Sequence, residues 1–247
     1  RTSVTIPASE GSLQGTYLST TSYNVSGKVQ GIGYPKAGSL SAVAVSYTYE
    51  DATLRPIAMG SSQRLNVTTS YSLTGKPLQY TLSNSGSKAT WVTNTYEWGT
   101  QRLATSRVDR QDIAGVDQNS TYRYDEAGNV LSVSDVSRFG TDTQCFTYDY
   151  LRRLTEAWTQ SSTECAKTPS GSVLGGPAPY WHSYTYDLVG NRATEILHDT
   201  TGDASKDTKR VYTYPAAGSA RPHTLSSVTT TGPTGTAKDS FGYDEAG

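Results

Sequence analysis

One short phrase recurs along the chain and constrains its fold more than any other feature. It reads Tyr-x-Tyr-Asp-x-x-Gly-Asn at residues 122–129 and again at residues 184–191. A third copy, with Phe241 at the first aromatic position, fills residues 241–247. A phrase that returns every 20 to 50 residues or so is typical of repeat architectures, in which one supersecondary unit is copied along the chain.

Weaker copies complete the series when each is anchored on its second aromatic position. Eight steps separate the first anchor from the last, and their mean length is about 27 residues, within the range of known repeats. The sequence therefore predicts a single array of about nine repeats over residues 1–247. The longest step contains a Gly- and Pro-rich insertion at 161–179, predicted to be an exposed loop. The anchors are Tyr23, Tyr49, Tyr71, Tyr96, Tyr124, Tyr148, Tyr186, Tyr214 and Tyr243.

Each repeat predicts a β-hairpin. Side chains alternate along a strand, so the two aromatic rings of Tyr-x-Tyr share one face. Asp is favoured at the first position of a tight turn, and Gly at the fourth supplies a positive φ. Acid–base pairs or calcium ligands are the alternative roles for these carboxylates. We favour the turn, because a catalytic group is rarely duplicated in every repeat. The predicted turn residues are Asp125, Gly128, Asp149, Asp187, Gly190, Asp244 and Gly247.

The remaining sequence favours an all-β fold. No apolar stripe has helical spacing over a dozen residues, and the abundant Ser and Thr disfavour helix interiors. Hydrophobic residues make up only 34% of the chain, which is low for a thick two-layer core. We therefore expect repeated antiparallel hairpins forming one curved sheet that spirals, with a single buried face.

Charge and hydropathy narrow the function classes. A net charge of -1 lacks the basic surface of a nucleic-acid-binding protein. The sequence contains no run of 18 apolar residues, so no membrane span is predicted. The chain begins at Arg1 and ends inside a repeat, so we expect a piece of a longer protein.

Two cysteines, Cys145 and Cys165, flank one predicted strand pair. Their separation suits a disulfide, and the absence of other thiols suits a secreted or cell-surface protein. The alternative is two unrelated buried thiols. A tetrahedral zinc site needs four ligands, and neither cysteine has a second pair nearby, so no metal or cofactor is predicted.

Aromatic and histidine side chains give weaker signals. Trp158 and Trp181 could stack on sugar rings of a glycan, but cross-strand packing within the sheet is the favoured interpretation. His182, His198 and His223 show no metal spacing, and no nucleophile motif lies near them.

The Tyr-Asp-x-x-Gly-Asn/Arg phrase at this period resembles the YD repeat of the Rhs family. That family includes bacterial polymorphic toxins, wall-associated proteins, toxin-complex B and C components and teneurins. The resemblance covers nearly the whole chain and is strongest at the repeats anchored on Tyr124, Tyr148, Tyr186 and Tyr243. It is weakest at Tyr96 and Tyr214, where Pro215 replaces the Asp.

The resemblance implies a hollow shell of β-sheet that encapsulates a C-terminal toxin or effector domain of the same polypeptide. The family's self-cleavage region carries an Asp-Pro motif, and this sequence contains no Asp-Pro pair. The implied function is therefore a non-catalytic segment of the shell wall, with the remaining repeats and the C-terminal domain as its partners. The alternative is an extracellular module that binds a glycan or a protein receptor. A polysaccharide-cleaving enzyme ranks third, since no catalytic constellation stands out.

Overall fold

A computed structural model describes residues 1–84 and 88–244. The chain divides into two compact units, Arg1–Gln118 and Asn119–Gly247. Each unit contains β-strands that pair antiparallel with the next strand along the chain, which is the simplest way to join consecutive hairpins.

The first unit is a meander of nine strands. A 3-10 segment (Ala8–Leu13) separates the first two. The strands are β1 (Thr2–Ile6), β2 (Gly15–Tyr23), β3 (Val29–Tyr34), β4 (Val43–Tyr49), β5 (Pro56–Ser61), β6 (Leu65–Tyr71), β7 (Pro77–Asn84), β8 (Thr90–Tyr96) and β9 (Leu103–Arg110).

The second unit repeats the same order with nine further strands. A short 3-10 segment (Ala204–Lys206) precedes the seventh of them. The strands are β10 (Gln118–Tyr124), β11 (Val130–Ser137), β12 (Gly140–Tyr148), β13 (Leu154–Gln160), β14 (Trp181–Tyr186), β15 (Arg192–Leu197), β16 (Thr208–Thr213), β17 (Ser227–Gly232) and β18 (Gly235–Ser240).

Seven of the predicted anchor tyrosines end a strand, and the ladder register shifts directly before each of them. In β10, for example, Arg123 pairs with Ser132 and Tyr124 with Val130, so that Leu131 is the extra residue of a bulge. Bulges re-aim the side chains beside them. The shifts precede Tyr23, Tyr49, Tyr71, Tyr96, Tyr124, Tyr148 and Tyr186.

The prediction of an all-β fold built from repeated antiparallel hairpins is confirmed. Within the described ranges both helical segments are 3-10 turns, and neither is long and apolar enough to cross a membrane. The spiral and the extent of the nine-repeat array stay predictions.

The most deeply buried hydrophobic residues among those described lie in the second unit, at Cys145, Ala157 and Trp158. Two polar neighbours, Thr143 and Thr159, are as deeply buried. The register places Cys145 opposite Trp158, and Trp158 opposite Trp181, so these three side chains share one face of the sheet. We call it the disulfide face. Tyr184 and Tyr186 belong to the opposite face, which we call the tyrosine face.

Candidate functional site

The repeated turn is built around the side chain that follows each anchor tyrosine. At Asp187, the backbone N–H donates to the carbonyl of Asn191 at 2.9 Å, and Gly190 N–H donates back to Asp187 at 3.2 Å. Asp187 Oδ1 accepts from the N–H groups of Val189 and Asn191, and its Oδ2 accepts from the Asn191 amide at 2.9 Å. One carboxylate thus accepts from two backbone N–H groups and one side-chain amide of the turn.

The same geometry recurs at other copies of the phrase. Asp125 Oδ1 accepts from Asn129 N–H at 2.8 Å, and Asp149 Oδ1 accepts from Arg153 N–H at 2.9 Å. Asn24 and Ser72 hold the equivalent turns of the first unit with their side-chain oxygens. The fourth turn position has a positive φ in each case, whether the residue is a glycine or, in one copy, an arginine: Gly27, Gly75, Gly128, Arg152 and Gly190.

The terminal copy is described only in part. Asp244 follows Tyr243, but Gly247, the glycine of that turn, lies outside the described residues. The turn at Asp244 therefore stays a prediction.

These hydrogen bonds lower the pKa values of the turn carboxylates. A hydrogen bond from the Asn129 amide, joined by backbone N–H groups, lowers the pKa of Asp125 below its ordinary value. Desolvation opposes ionisation of Asp187, but hydrogen bonds from Asn191 outweigh it, so that its pKa is also lowered. Both groups are ionised acceptors at neutral pH, as the turn requires.

The anchor tyrosines make a second recurring contact, which we call the tyrosine clasp. At the six anchors named below, the hydroxyl donates to a backbone carbonyl at or near the start of the second strand of the preceding hairpin. The pairs are Tyr49 with Val29 at 2.7 Å, Tyr71 with Pro56 at 2.7 Å, Tyr96 with Pro77 at 2.8 Å, Tyr148 with Val130 at 2.8 Å, Tyr186 with Leu154 at 2.8 Å and Tyr243 with Leu225 at 2.9 Å.

A cation accompanies several clasps. The Arg153 guanidinium lies 4.7 Å from the ring centroid of Tyr186, and Arg55 and Lys76 lie over Tyr71 and Tyr96. Arg153 also binds Asp149 in its own turn at 2.7 Å and the Asp187 carbonyl in the next turn at 3.2 Å. A cation over an aromatic face is attracted by the ring quadrupole. Arg153 therefore joins two consecutive turns.

The insertion between β13 and β14 folds back onto the disulfide face. Cys145 and Cys165 form a disulfide with a Cα–Cα distance of 5.8 Å. Glu164 binds Arg123 at 2.6 Å, and Gln160 Oε1 accepts from Ala166 N–H at 3.2 Å. The loop is thereby fixed above the strands, and it contains no strand or helix of its own.

The tryptophans proposed for glycan stacking lie beneath or beside this loop. Trp158 is 2% exposed, and its indole N–H donates to Gln160 Oε1 at 3.1 Å. A glycan-stacking role for Trp158 is wrong, because a buried ring offers no face to a sugar. Trp181 is half-buried, and His198 stacks on it with the ring centroids 3.8 Å apart. One face of Trp181 is therefore taken by protein.

The tyrosine face of the second unit holds a buried carboxylate. Glu195 accepts from the Tyr212 hydroxyl at 2.8 Å and from Arg210 Nη1 at 3.0 Å, and Arg192 lies 3.9 Å away. Burial alone would raise the pKa of Glu195, but the hydrogen bonds from Tyr212 and Arg210 hold it below its ordinary value. A buried carboxylate with these partners is a structural ion pair that stays charged.

The three histidines occupy different environments. His182 lies on the tyrosine face between Tyr180 and Tyr184, and burial lowers its pKa. His223 Nδ1 lies 3.0 Å from the Asn191 side chain. His198 lies on the disulfide face between Ser183 Oγ, at 2.9 Å, and Asp207 Oδ2, at 2.8 Å.

The sequence did not reveal the Ser183–His198–Asp207 arrangement, because strand register and one connecting loop bring the three residues together. The separations of 15 and 9 residues match no catalytic motif. Within residues 1–84 and 88–244, no group of three or more His, Cys, Asp or Glu is arranged to hold a metal.

Comparison with known proteins gives no match to a family model and no match to a curated protein. The resemblance to YD-repeat proteins thus stays a prediction from the sequence.

Solved structures that are similar to the chain at low identity include three that contain TccC3. The TcdB2-TccC3-Cdc42 crystal structure is 19% identical over 83% of this chain and 12% of that chain, with a TM-score of 0.48. A Photorhabdus luminescens Tc holotoxin pore containing mutant TccC3 is 17% identical over 86% of this chain and 14% of that chain, with a TM-score of 0.47. The TcdB2-TccC3-TEV crystal structure is 15% identical over 90% of this chain and 17% of that chain, with a TM-score of 0.42. The chain therefore spans less than a fifth of each solved chain.

Proposed function

We propose that this chain is a structural segment of a YD-repeat wall that encapsulates a C-terminal toxin or effector domain of the same polypeptide. The observation that carries the proposal is the tyrosine clasp, in which six copies of the phrase that defines the repeat also bind their hairpin to the one before it.

A wall needs contacts that are repeated and local. The turn carboxylate closes one hairpin, and the clasp and the turn arginine join that hairpin to its neighbour. Nearest-neighbour contacts of this kind let a repeat array grow by adding units, with no central core to fill. This role requires no reaction by the repeat residues themselves, and its partners are the flanking repeats and the enclosed domain.

A secreted or cell-surface setting supports the same role. The Cys145–Cys165 disulfide persists in oxidising compartments and is uncommon in reducing ones. In an extracellular medium, a covalent link that holds the largest loop makes the wall more resistant to unfolding.

The test is limited proteolysis of the intact parent protein, followed by mass spectrometry of the native and the denatured forms. We expect a C-terminal segment that resists protease in the native form and is digested once the wall is unfolded. A native C-terminal segment that is digested as fast as the denatured one would overturn encapsulation.

Exposed aromatic side chains at the turns favour a second candidate, an extracellular module that binds a glycan or a protein receptor. Trp98 and Tyr150 occupy the same position of their turns and are 94% and 87% exposed. Free aromatic faces suit sugar rings and protein contacts alike. A glycan array and a receptor pull-down with the native chain, compared with Trp98→Ala and Tyr150→Ala, test this candidate. A native chain that binds neither a glycan nor a receptor would contradict it.

A further inference from the structure

Three side chains on the disulfide face form a continuous hydrogen-bonded relay. Ser183 Oγ lies 2.9 Å from His198 Nε2, and His198 Nδ1 lies 2.8 Å from Asp207 Oδ2. The serine is in β14, the histidine directly follows β15, and the aspartate directly precedes β16. Three adjacent strands therefore hold the relay, and a nucleophile, a base and an orienting carboxylate stand in the order that acyl transfer uses.

The aspartate is itself held in place. Its other oxygen, Oδ1, accepts from the N–H of Asp199 at 2.8 Å. With Oδ2 accepting from Nδ1–H of His198, the imidazole keeps its lone pair on Nε2, where the Ser183 hydroxyl can donate. Asp207 thereby sets the tautomer that a general base requires.

The imidazole ring is fixed from a second direction. His198 stacks on Trp181 with an interplanar angle of 23°, and the His198 N–H donates to the Trp181 carbonyl at 2.9 Å. A fixed ring keeps Nε2 directed at Ser183 with little loss of freedom on reaction.

The surroundings leave the relay reachable. Ser183 is half-buried, and the side chains of His198 and Asp207 are 16% and 18% exposed. Within the described part of the chain, the Trp181 indole nitrogen is buried with no hydrogen-bond partner. An unsatisfied buried donor beside such a relay is a second mark of a functional site, since buried polar groups are nearly always paired.

The disulfide-bonded loop contacts the segment that connects His198 to Asp207. A Cβ placed on Gly171 would lie 2.6 Å from the backbone carbonyl of Thr201, in the turn that follows His198. The loop therefore contacts the connection that carries Asp199 and leads to Asp207.

We propose that Ser183 is a nucleophile toward carboxylic esters, with His198 as its base and Asp207 as the positioning residue. Ser183 Oγ attacks the ester carbonyl carbon while His198 Nε2 takes the hydroxyl proton. The tetrahedral adduct breaks its bond to the leaving alkoxide, which takes the proton from Nε2 and departs as an alcohol. Water, deprotonated by His198, then attacks the acyl-serine, and its products are a carboxylic acid and free Ser183. This activity goes beyond the wall function and does not depend on it.

The experiment treats the native chain with a fluorophosphonate and with p-nitrophenyl acetate. Peptide mass spectrometry locates the phosphonate adduct, and release of nitrophenol reports turnover. The variants are Ser183→Ala and Asp207→Asn. The matched control is Thr185→Ala, two residues along the same face, where Thr185 contacts Thr194 at 2.6 Å and no member of the relay.

We expect the adduct on Ser183 in the native chain and in Thr185→Ala, and none on this residue in chain unfolded by urea. Asp207→Asn should slow labelling about 100-fold or more, because an amide no longer enforces the tautomer. A merely structural Asp207 would leave the labelling rate of folded protein unchanged, and that result would overturn the proposal. The absence of an adduct on Ser183 in the native chain would also overturn the proposal. That measurement does not depend on the folding of any variant.

Discussion

The hydroxyl of Tyr186 donates a 2.8 Å hydrogen bond to the carbonyl of Leu154, 32 residues earlier in the chain. The whole insertion between β13 and β14 lies within that interval, yet the bond has the same length as the Tyr148–Val130 bond of the preceding repeat. The contact between neighbouring hairpins is thus independent of the length of the loop that joins them.

The clasp predicts a stability effect of Tyr186→Phe. The variant keeps the ring under Arg153 and removes only the hydroxyl, so we expect a loss of about 1 kcal/mol in the free energy of unfolding. Urea denaturation followed by circular dichroism measures it. Tyr150→Phe, whose ring is exposed at a turn, is the control and should leave the midpoint unchanged. Equal midpoints for Tyr186→Phe and the native chain would contradict a stabilising clasp.

The turn carboxylates predict acid sensitivity. The folded pKa values of Asp125 and Asp187 lie below their ordinary values, so the unfolded chain takes up protons first as the pH falls. Their stabilisation is complete at neutral pH, above the unfolded pKa, and is lost from about pH 5 downward as the pH approaches and passes the lower folded pKa. Urea midpoints between neutral and acidic pH should show this decline.

Asp187→Asn gives the matched comparison for the acid effect. The amide oxygen can still accept a backbone N–H, but it does not titrate, so the variant should lose less stability between pH 7 and pH 3 than the native chain. An identical pH dependence in the two proteins would show that Asp187 contributes nothing to acid sensitivity.

The disulfide predicts a redox effect on the insertion. Opening a link across 20 residues should lower the free energy of unfolding by about 3 kcal/mol. It should also free the loop, so that trypsin cleaves after Lys167 faster in reduced protein than in oxidised protein. In the double variant Cys145→Ser, Cys165→Ser, added reductant should have no effect on cleavage. Equal cleavage rates in oxidised and reduced native chain would mean that other contacts hold the loop.

The positive φ of the turn predicts a conformational cost. Gly190 has a φ of 96°, and a Cβ placed there would meet no atom within 4 Å, so Gly190→Ala changes backbone strain alone. We expect a loss of about 1 kcal/mol. Gly99→Ala is the control, because that site is equally open and does not have a positive φ. Equal losses of stability in Gly190→Ala and Gly99→Ala, measured by thermal or urea unfolding, would contradict a cost from the positive φ.

Local chemistry could be predicted from the sequence because it is encoded in neighbouring residues. Asp187 and Gly190 lie within one turn, and their residue types alone specify its hydrogen bonds. The partner of the Tyr186 hydroxyl could not be predicted in the same way, since a backbone carbonyl such as that of Leu154 leaves no signature in the sequence.

The errors and omissions concern contacts between distant segments. Trp158 was open to a glycan role because nothing in its own strand shows that the insertion covers it. No sequence motif marks Ser183, His198 and Asp207, because they come together only when the register aligns three strands. In both cases the information lies in contacts between segments distant in the sequence, which composition and spacing do not carry.

The insertion has a practical consequence. Thr159 N–H donates to the Tyr180 carbonyl at 3.0 Å, and Tyr180 N–H donates to the Thr159 hydroxyl at 3.0 Å, so the two ends of the connection are fastened to each other. Because the ends of this segment already meet, a foreign peptide can be added to it, away from Cys165, without moving the strands on either side. The position between Gln160 and Tyr180 is therefore a natural graft point for an epitope tag, an affinity handle or a fluorescent reporter.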